Sequence, residues 1–496
     1  MSVSQPIARS VRITFAATIL SGLMQAVIMV VLVRLLGPAD YGIYAVAVAT
    51  TAVTIAFITG TIERTLIVSA ARFDLAGLSV PLFLCSVMFA SLTLAGLGVL
   101  NALGVTHLAL QAIAVIFVGQ LANGFGTIAR VHLRRRLEFG WITVSELSGQ
   151  FLGTGLVAIT LAYFGFGYQA LLAGTVVQGV VVMAIMQAKT PIDLVWPVRW
   201  RDMLQIGKSA LSLGQSSSLE VARIYLPVFI VGRLGDVALG LFNRSYSLVQ
   251  LPVEVLTSSV NRVAISALVA VSGDRQRLLR ASRLYLFVVT AIAFPITAGI
   301  AGAATEFTHV IMGEKWLAAI PLVPWLGLAG ACLLASRCIG VLGEAMRAFR
   351  AKAIIEFTAI LVLGAAMLGG AAFGLLTCVI GMGLAGLYYW MAHIIMAARL
   401  LNISRWEVVK WHLPALAAAT ACAGWGVLLS SALEGWPVAY VFAAQISGCG
   451  MLSAGYYVMF HPGLVLTVLA HLLPGRRLPL VGLIRAWAER RHGAAG

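Results

Sequence analysis

Long apolar runs alternate with short polar connections along almost the whole chain. Fourteen runs are long enough to cross a bilayer as helices: 13–33, 41–62, 78–100, 108–129, 141–164, 168–187, 204–232, 237–262, 284–311, 317–341, 353–370, 373–398, 411–431 and 436–460. The runs 204–232 and 237–262 are the ones most interrupted by polar residues. With no water in the hydrocarbon to satisfy backbone groups, runs of this length predict an all-α polytopic membrane protein.

Between the first two runs, residues 34–44 read RLLGPADYGIY. Gly37-Pro38 ends the first helix, because Pro lacks an N–H and Gly tolerates the turn. Asp40 is expected at the N-cap of the second, its carboxylate accepting backbone N–H groups. The pattern recurs at residues 234–242, LGDVALGLF, after the seventh run. Leu36-Gly37 matches Leu234-Gly235, Gly42 matches Gly240, and Ile43-Tyr44 matches Leu241-Phe242, each 198 residues apart (234 − 36). A duplication at the same place in each half predicts two six-helix lobes, residues 1–200 and 201–400. Residues 401–496 then add two helices and a basic tail, 476–491, expected on the membrane surface.

Charge gives the arrangement a direction. With the N-terminus inside, inner segments hold 27 of the 34 Lys and Arg residues, and outer connections hold Arg34, Arg233 and Lys315. That asymmetry predicts both termini in the cytoplasm and places both hairpin tips outside. The lobes are then parallel repeats about an axis along the membrane normal. The formal charge of +16 is expected to meet an anionic lipid leaflet, not nucleic acid.

The RLLGPADYGIYAV hairpin, together with residues 136–167 (RLEFGW … YFGFG), residues 242–268 (FNRSYSLVQLPVEVLTSSVNRVAISAL) and MGEKW at 312–316, is similar to the polysaccharide transporter (Wzx-type flippase) family. That family belongs to the multidrug/oligosaccharidyl-lipid/polysaccharide flippase superfamily. The resemblance covers roughly the first 350 residues. It implies a flippase that moves undecaprenyl-pyrophosphate-linked oligosaccharide from the inner to the outer leaflet of a bacterial cytoplasmic membrane by alternating access. The products would be exopolysaccharide, capsule or lipopolysaccharide O-antigen. Implied partners are the lipid-linked oligosaccharide, membrane lipids and the polymerase and export machinery.

Polar residues within the runs form stripes. Ser209, Ser212, Ser216, Glu220 and Arg223 lie on one helical face of the seventh run, and Arg244, Ser247, Glu254 and Ser258 on one face of the eighth. Gln120, Asn123, Thr127 and Arg130 line up in the fourth, Glu146, Gln150 and Gly153 in the fifth. Such faces look into a shared wet cavity or serve as glue between helices. Arg223 and Arg244 each lie about 10–14 Å below the outer surface, suiting them to a pyrophosphate or acidic sugar. The alternative for Arg223 is an ion pair with Glu220 one turn away. Arg337 also falls within a run, whereas Arg34 and Arg64 lie near the interfaces, where they can snorkel. Glu146 and Glu254 are candidate proton or cation sites for coupling to a proton or sodium gradient, and no cofactor is expected.

Composition agrees with the pattern: 60% of residues are apolar, 10% are charged against roughly 25% in soluble domains, and the mean hydropathy is +0.97. The six cysteines all lie in apolar runs and read as small buried hydrophobes. Gly207-Lys208-Ser209 resembles the end of a phosphate-binding loop, but Asp202 stands where its first Gly belongs. Without DxD carboxylates or metal-type His spacing, a membrane polymerase or glycosyltransferase is the weakest reading. An ion-coupled drug or metabolite exporter of the same superfamily is the nearer alternative.

Overall fold

The computed structural model describes residues 4–55, 79–102, 110–136, 138–191, 219–463 and 466. These residues form helices and turns, with no strand among them. Helices α1 (Ser4–Leu35), α2 (Pro38–Ile55), α3 (Ser79–Ala102), α4 (Leu110–Phe125) and α5 (Thr127–Arg135) come first. Helix α6 (Phe139–Gly149) runs through a π-helical segment, Gln150–Val157, into α7 (Ala158–Tyr163), and α8 (Tyr168–Lys189) follows. After α9 (219–232) come α10 (Asp236–Ala270), α11 (Arg275–Gly302), α12 (Val323–Ala345) and α13 (Phe349–Ala371). The last three are α14 (Leu375–Leu401), α15 (Arg405–Ala432) and α16 (Val438–Phe460).

The described parts of the fourteen apolar runs are helical almost throughout. Among the described residues, eight helical stretches are long and apolar enough to cross a membrane, and three more are shorter, beginning at Leu20, Ala90 and Leu110. Some helices outrun their apolar stretch. Helix α11 begins nine residues before the run predicted from position 284 (284 − 275), because Asp274 caps it by accepting from the N–H groups of Gln276 and Arg277. The fourth run is divided at Gly126, although backbone hydrogen bonds from Gly126 to Ala122 and from Arg130 to Gly126 carry the helix across.

The chain divides into two compact units. The first comprises Met1–Leu251, Ile311–Ala319 and Lys352–Met382. One of its cores packs Ala47, Ala90, Ala112, Ile113, Ile116, Phe117 and Leu172, and α4 meets α8 where Gly119 and Gly179 lie backbone to backbone. Lipid supplies no hydrophobic drive between helices, so close backbone approach through small residues is what dispersion can exploit. The second unit comprises Pro252–Val310, Ile320–Ala351 and Gly383–Gly496. There α11 packs on α15 and α16 through Phe287, Ala418 and Tyr457. Arg64, residues 209–216 and the basic tail lie outside the described residues.

Candidate functional site

The two copies of the hairpin meet in the first unit. A Cβ at Gly42 would fall on the backbone carbonyl of Asp236, and a Cβ at Gly240 on that of Pro38. Pro38 and Asp236 are the first residues of α2 and α10, so each helix lays its glycine on the first turn of the other. Pro38 suits the first helical position, where an absent N–H costs nothing. That moves Asp40 from the expected N-cap to the third helical residue. Its carboxylate reaches back to the N–H of Gly37 at 3.0 Å and across to the N–H of Tyr168 at 2.9 Å, tying the hairpin tip to the start of α8.

Arg244 lies one turn beyond Gly240. Its guanidinium sits over the ring of Tyr41, 4.4 Å from the centroid, and donates from Nη2 to the carbonyl of Met29 at 2.9 Å. Tyr41 in turn packs edge-on against Trp316, with ring centroids 5.6 Å apart. The MGEKW segment closes the arrangement. Gly313 takes a left-handed conformation with φ +93°, Lys315 donates to the carbonyl of Leu35 at 3.0 Å, and Trp316 Nε1 donates to that of Val33 at 2.9 Å. These bonds satisfy carbonyls that the end of α1 leaves without partners. Three motifs separate in sequence thus build one cage. No carboxylate pairs with Arg244 among the described residues. Two buried polar atoms, Arg244 Nε and Tyr41 Oη, have no hydrogen-bond partner there. Both are donors, the complement an anion would seek.

Arg223 is held differently. Its Nε donates to Glu356 Oε2 at 2.8 Å, with the two side chains 8% and 0% exposed. Glu220 does not pair with Arg223 one turn away; it lies 3.8 Å from Lys352 Nζ. Glu220 and Arg223 on α9 therefore face Lys352 and Glu356 on α13 in a crossed set of two cations and two anions. Leu226 against Gly364 continues the same interface one turn further along α9.

The other sequence-predicted residues separate into local partners. In the second unit, Glu254 and Arg337 pair with each other at 3.5 Å. Gln150 opens the π-helical segment and accepts from Ser21 Oγ at 2.9 Å, bridging to α1. Glu146 is exposed on α6. Arg34 lies in the last turn of α1, with Gly313 beside its Cγ. Gln120 and Asn123 belong to α4, and Arg64 is outside the described residues. The structure does not bring Arg223 and Arg244 to a common partner: one engages α13, the other α1 and α2. Sequence reasoning missed Glu356, Tyr41 and Trp316. A lone acid in the apolar run 353–370 was the available signal for Glu356. Tyr41 and Trp316 stood inside motifs that bore the family resemblance but were given no role.

Comparison with known proteins places the chain among membrane proteins of polysaccharide synthesis and transport by likeness. The teichuronic acid biosynthesis protein TuaB of Bacillus subtilis (strain 168) is 27% identical over 208 residues, 40% of this chain and 41% of its own length. A membrane protein in the cps region of Klebsiella pneumoniae is 32% identical over 158 residues, 30% of this chain and 33% of its own. The chain thus spans about two-fifths and one-third of the length of these curated relatives. Among solved structures, the lipid II flippase MurJ in an inward closed conformation matches 91% of this chain and 100% of its own, with a TM-score of 0.71 at 13% identity. An inward-facing multidrug resistance MATE family transporter of the MOP superfamily matches 82% of this chain and 97% of its own, with a TM-score of 0.50 at 17% identity. These likenesses give the chain the two-lobe helical membrane fold of those proteins. Residues 31–321, more than half of the chain and including both hairpins and MGEKW, match one family along their whole length, and the chain belongs to it: the polysaccharide biosynthesis protein family.

Proposed function

We propose that this protein is a flippase that carries undecaprenyl-pyrophosphate-linked oligosaccharide repeat units from the inner to the outer leaflet of the bacterial cytoplasmic membrane. The observation that carries the reading is Arg244, a half-buried cation without a carboxylate among the described residues, stacked on Tyr41 with Trp316 behind it and with its buried Nε donor left over. A guanidinium forks onto phosphate oxygens, and its attraction for them grows where water is scarce. An uncompensated charge of this kind within a membrane is costly, so its default reading is a substrate site. An exporter of cationic drugs would want the opposite charge there. Family membership and relatives named for teichuronic acid biosynthesis and the cps region support a polysaccharide precursor as cargo. A structural likeness to a lipid II flippase supports a lipid-linked one.

Both termini are cytoplasmic in this reading, following the distribution of Lys and Arg. Arg244 is eight residues into α10, so it lies about 12 Å inward of the outer hairpin tips. The head group would bind there while the lipid tail stays in the bilayer, and alternating access would move it without covalent chemistry. A proton or sodium gradient would drive the cycle, with Glu146 as the coupling candidate that no described residue neutralises. The polymerase and export machinery would take the product.

Deleting the protein tests this. Lipid-linked repeat units should accumulate on the inner leaflet while polymer disappears. If units still reach the outer leaflet and only chain length changes, a polymerase role is the better answer.

A further inference from the structure

The reciprocal contact of Gly42 and Gly240 has a symmetry that single contacts lack. Positions 42 and 240 are 198 apart, and so are their partners 38 and 236 (240 − 42 = 236 − 38). One contact is therefore made twice, about a pseudo-two-fold axis that passes between the first turns of α2 and α10. At both places backbone lies on backbone with no side chain between, so the crossing leaves no path between these two helices. Among the described residues, no ion pair or side-chain hydrogen bond joins residues 38–42 to 236–240. The seam is close backbone contact, dispersion with glycine Cα against carbonyl oxygen, which is weak per atom pair and reversible. Yet it sets the cage: Tyr41 precedes Gly42 and Arg244 follows Gly240 by one turn, so parting the seam takes the Tyr41 ring off the guanidinium.

We propose that Gly42 and Gly240 form the closed gate on the hairpin side of the Arg244 site, and that its opening also uncages Arg244. The proposal deepens the flippase reading and rests on it for the direction of passage. In that reading an anionic head group leaves through the seam. Glycine is required at both positions because any Cβ must displace a helix backbone rather than a flexible side chain.

Ala39 and Val237 report on the seam. They are symmetry equivalents (237 − 39 = 198), each follows a contact residue, and both are exposed. Spin labels at these positions, in the full chain in lipid nanodiscs with the native cysteines replaced, should give a single short distance. Gly42→Ala and Gly240→Ala should each add a longer component. A cleavable bis-maleimide joining cysteines at 39 and 237 should stop export of lipid-linked units, and cleavage should restore it. Because the cross-link alters neither glycine, it decides the matter if an alanine variant does not insert. Unchanged distances in inserted alanine variants, or full export by the cross-linked protein, would overturn the gate. If the distances behave as expected while a deletion strain still flips its repeat units, the gate stands and the flippase reading falls.

Discussion

Arg223, buried, and Arg244, half-buried, lie on consecutive helices, and they are held in opposite ways. Arg223 meets a carboxylate, Glu356, inside a crossed set of two cations and two anions. Arg244 meets a helix carbonyl and an aromatic face, neither of which carries a countercharge. Depth along the helix is therefore a poor guide to which membrane arginine binds something; the partner decides. A neutralised arginine joins helices, whereas an arginine with only dipoles and a π-face around it retains the capacity to bind an anion.

The largest effect is expected at Arg244. Arg244→Ala should lower export by at least about 100-fold, the equivalent of losing two charged hydrogen bonds, while the protein stays inserted at its normal level. Arg244→Lys should fall between, since charge survives and the fork does not. Normal export by Arg244→Ala would mean that Arg244 holds no anion, and equal loss in both variants would mean that charge without the fork is of no use there.

At Arg223 the expected effect is on stability. Arg223→Leu or Glu356→Leu alone leaves a buried charge unpaired and should cost about 3–5 kcal/mol. The double substitution should recover most of that, because a buried pair is replaceable by apolar side chains of similar volume. Thermal unfolding of the purified variants in detergent checks the cycle, and additive losses would mean that the pair is not a unit.

Smaller effects are expected around the cage and in the glue. Trp316→Phe keeps the ring but removes the bond to Val33, which should cost about 1 kcal/mol and reduce export partially. Gln150→Leu removes the link to Ser21 and should cost no more than about 1 kcal/mol, with export retained. A large export defect in Gln150→Leu would instead make the π-helical segment part of the pathway, as such segments often are.

Much of the fold was legible in the sequence because a membrane span declares itself locally: about 20 apolar residues suffice. The hairpin repeat was legible for the same reason, as a short motif at equivalent places. Partners were not. Arg223 and Glu356 are 133 residues apart, Arg244 and Met29 215. Helical spacing pairs Glu220 with Arg223 at i,i+3, and the packing of α9 on α13 overrides it with two crossed bonds. Likewise Asp40 reads as an N-cap until Pro38 starts the helix two residues earlier. The reciprocal glycines were visible as a repeat, but only the crossing of α2 and α10 reveals that each copy touches the other.

Binding of undecaprenyl pyrophosphate to the purified protein in nanodiscs, followed by native mass spectrometry, tests most directly whether Arg244 is the anion-binding cation and Arg223 a structural one. The account predicts that Arg244→Ala binds at least about 100-fold more weakly, a loss of about 2.7 kcal/mol, while the folded Arg223→Leu/Glu356→Leu double variant binds like the unaltered protein. Undiminished binding by Arg244→Ala, or loss of binding by the folded double variant, would contradict it.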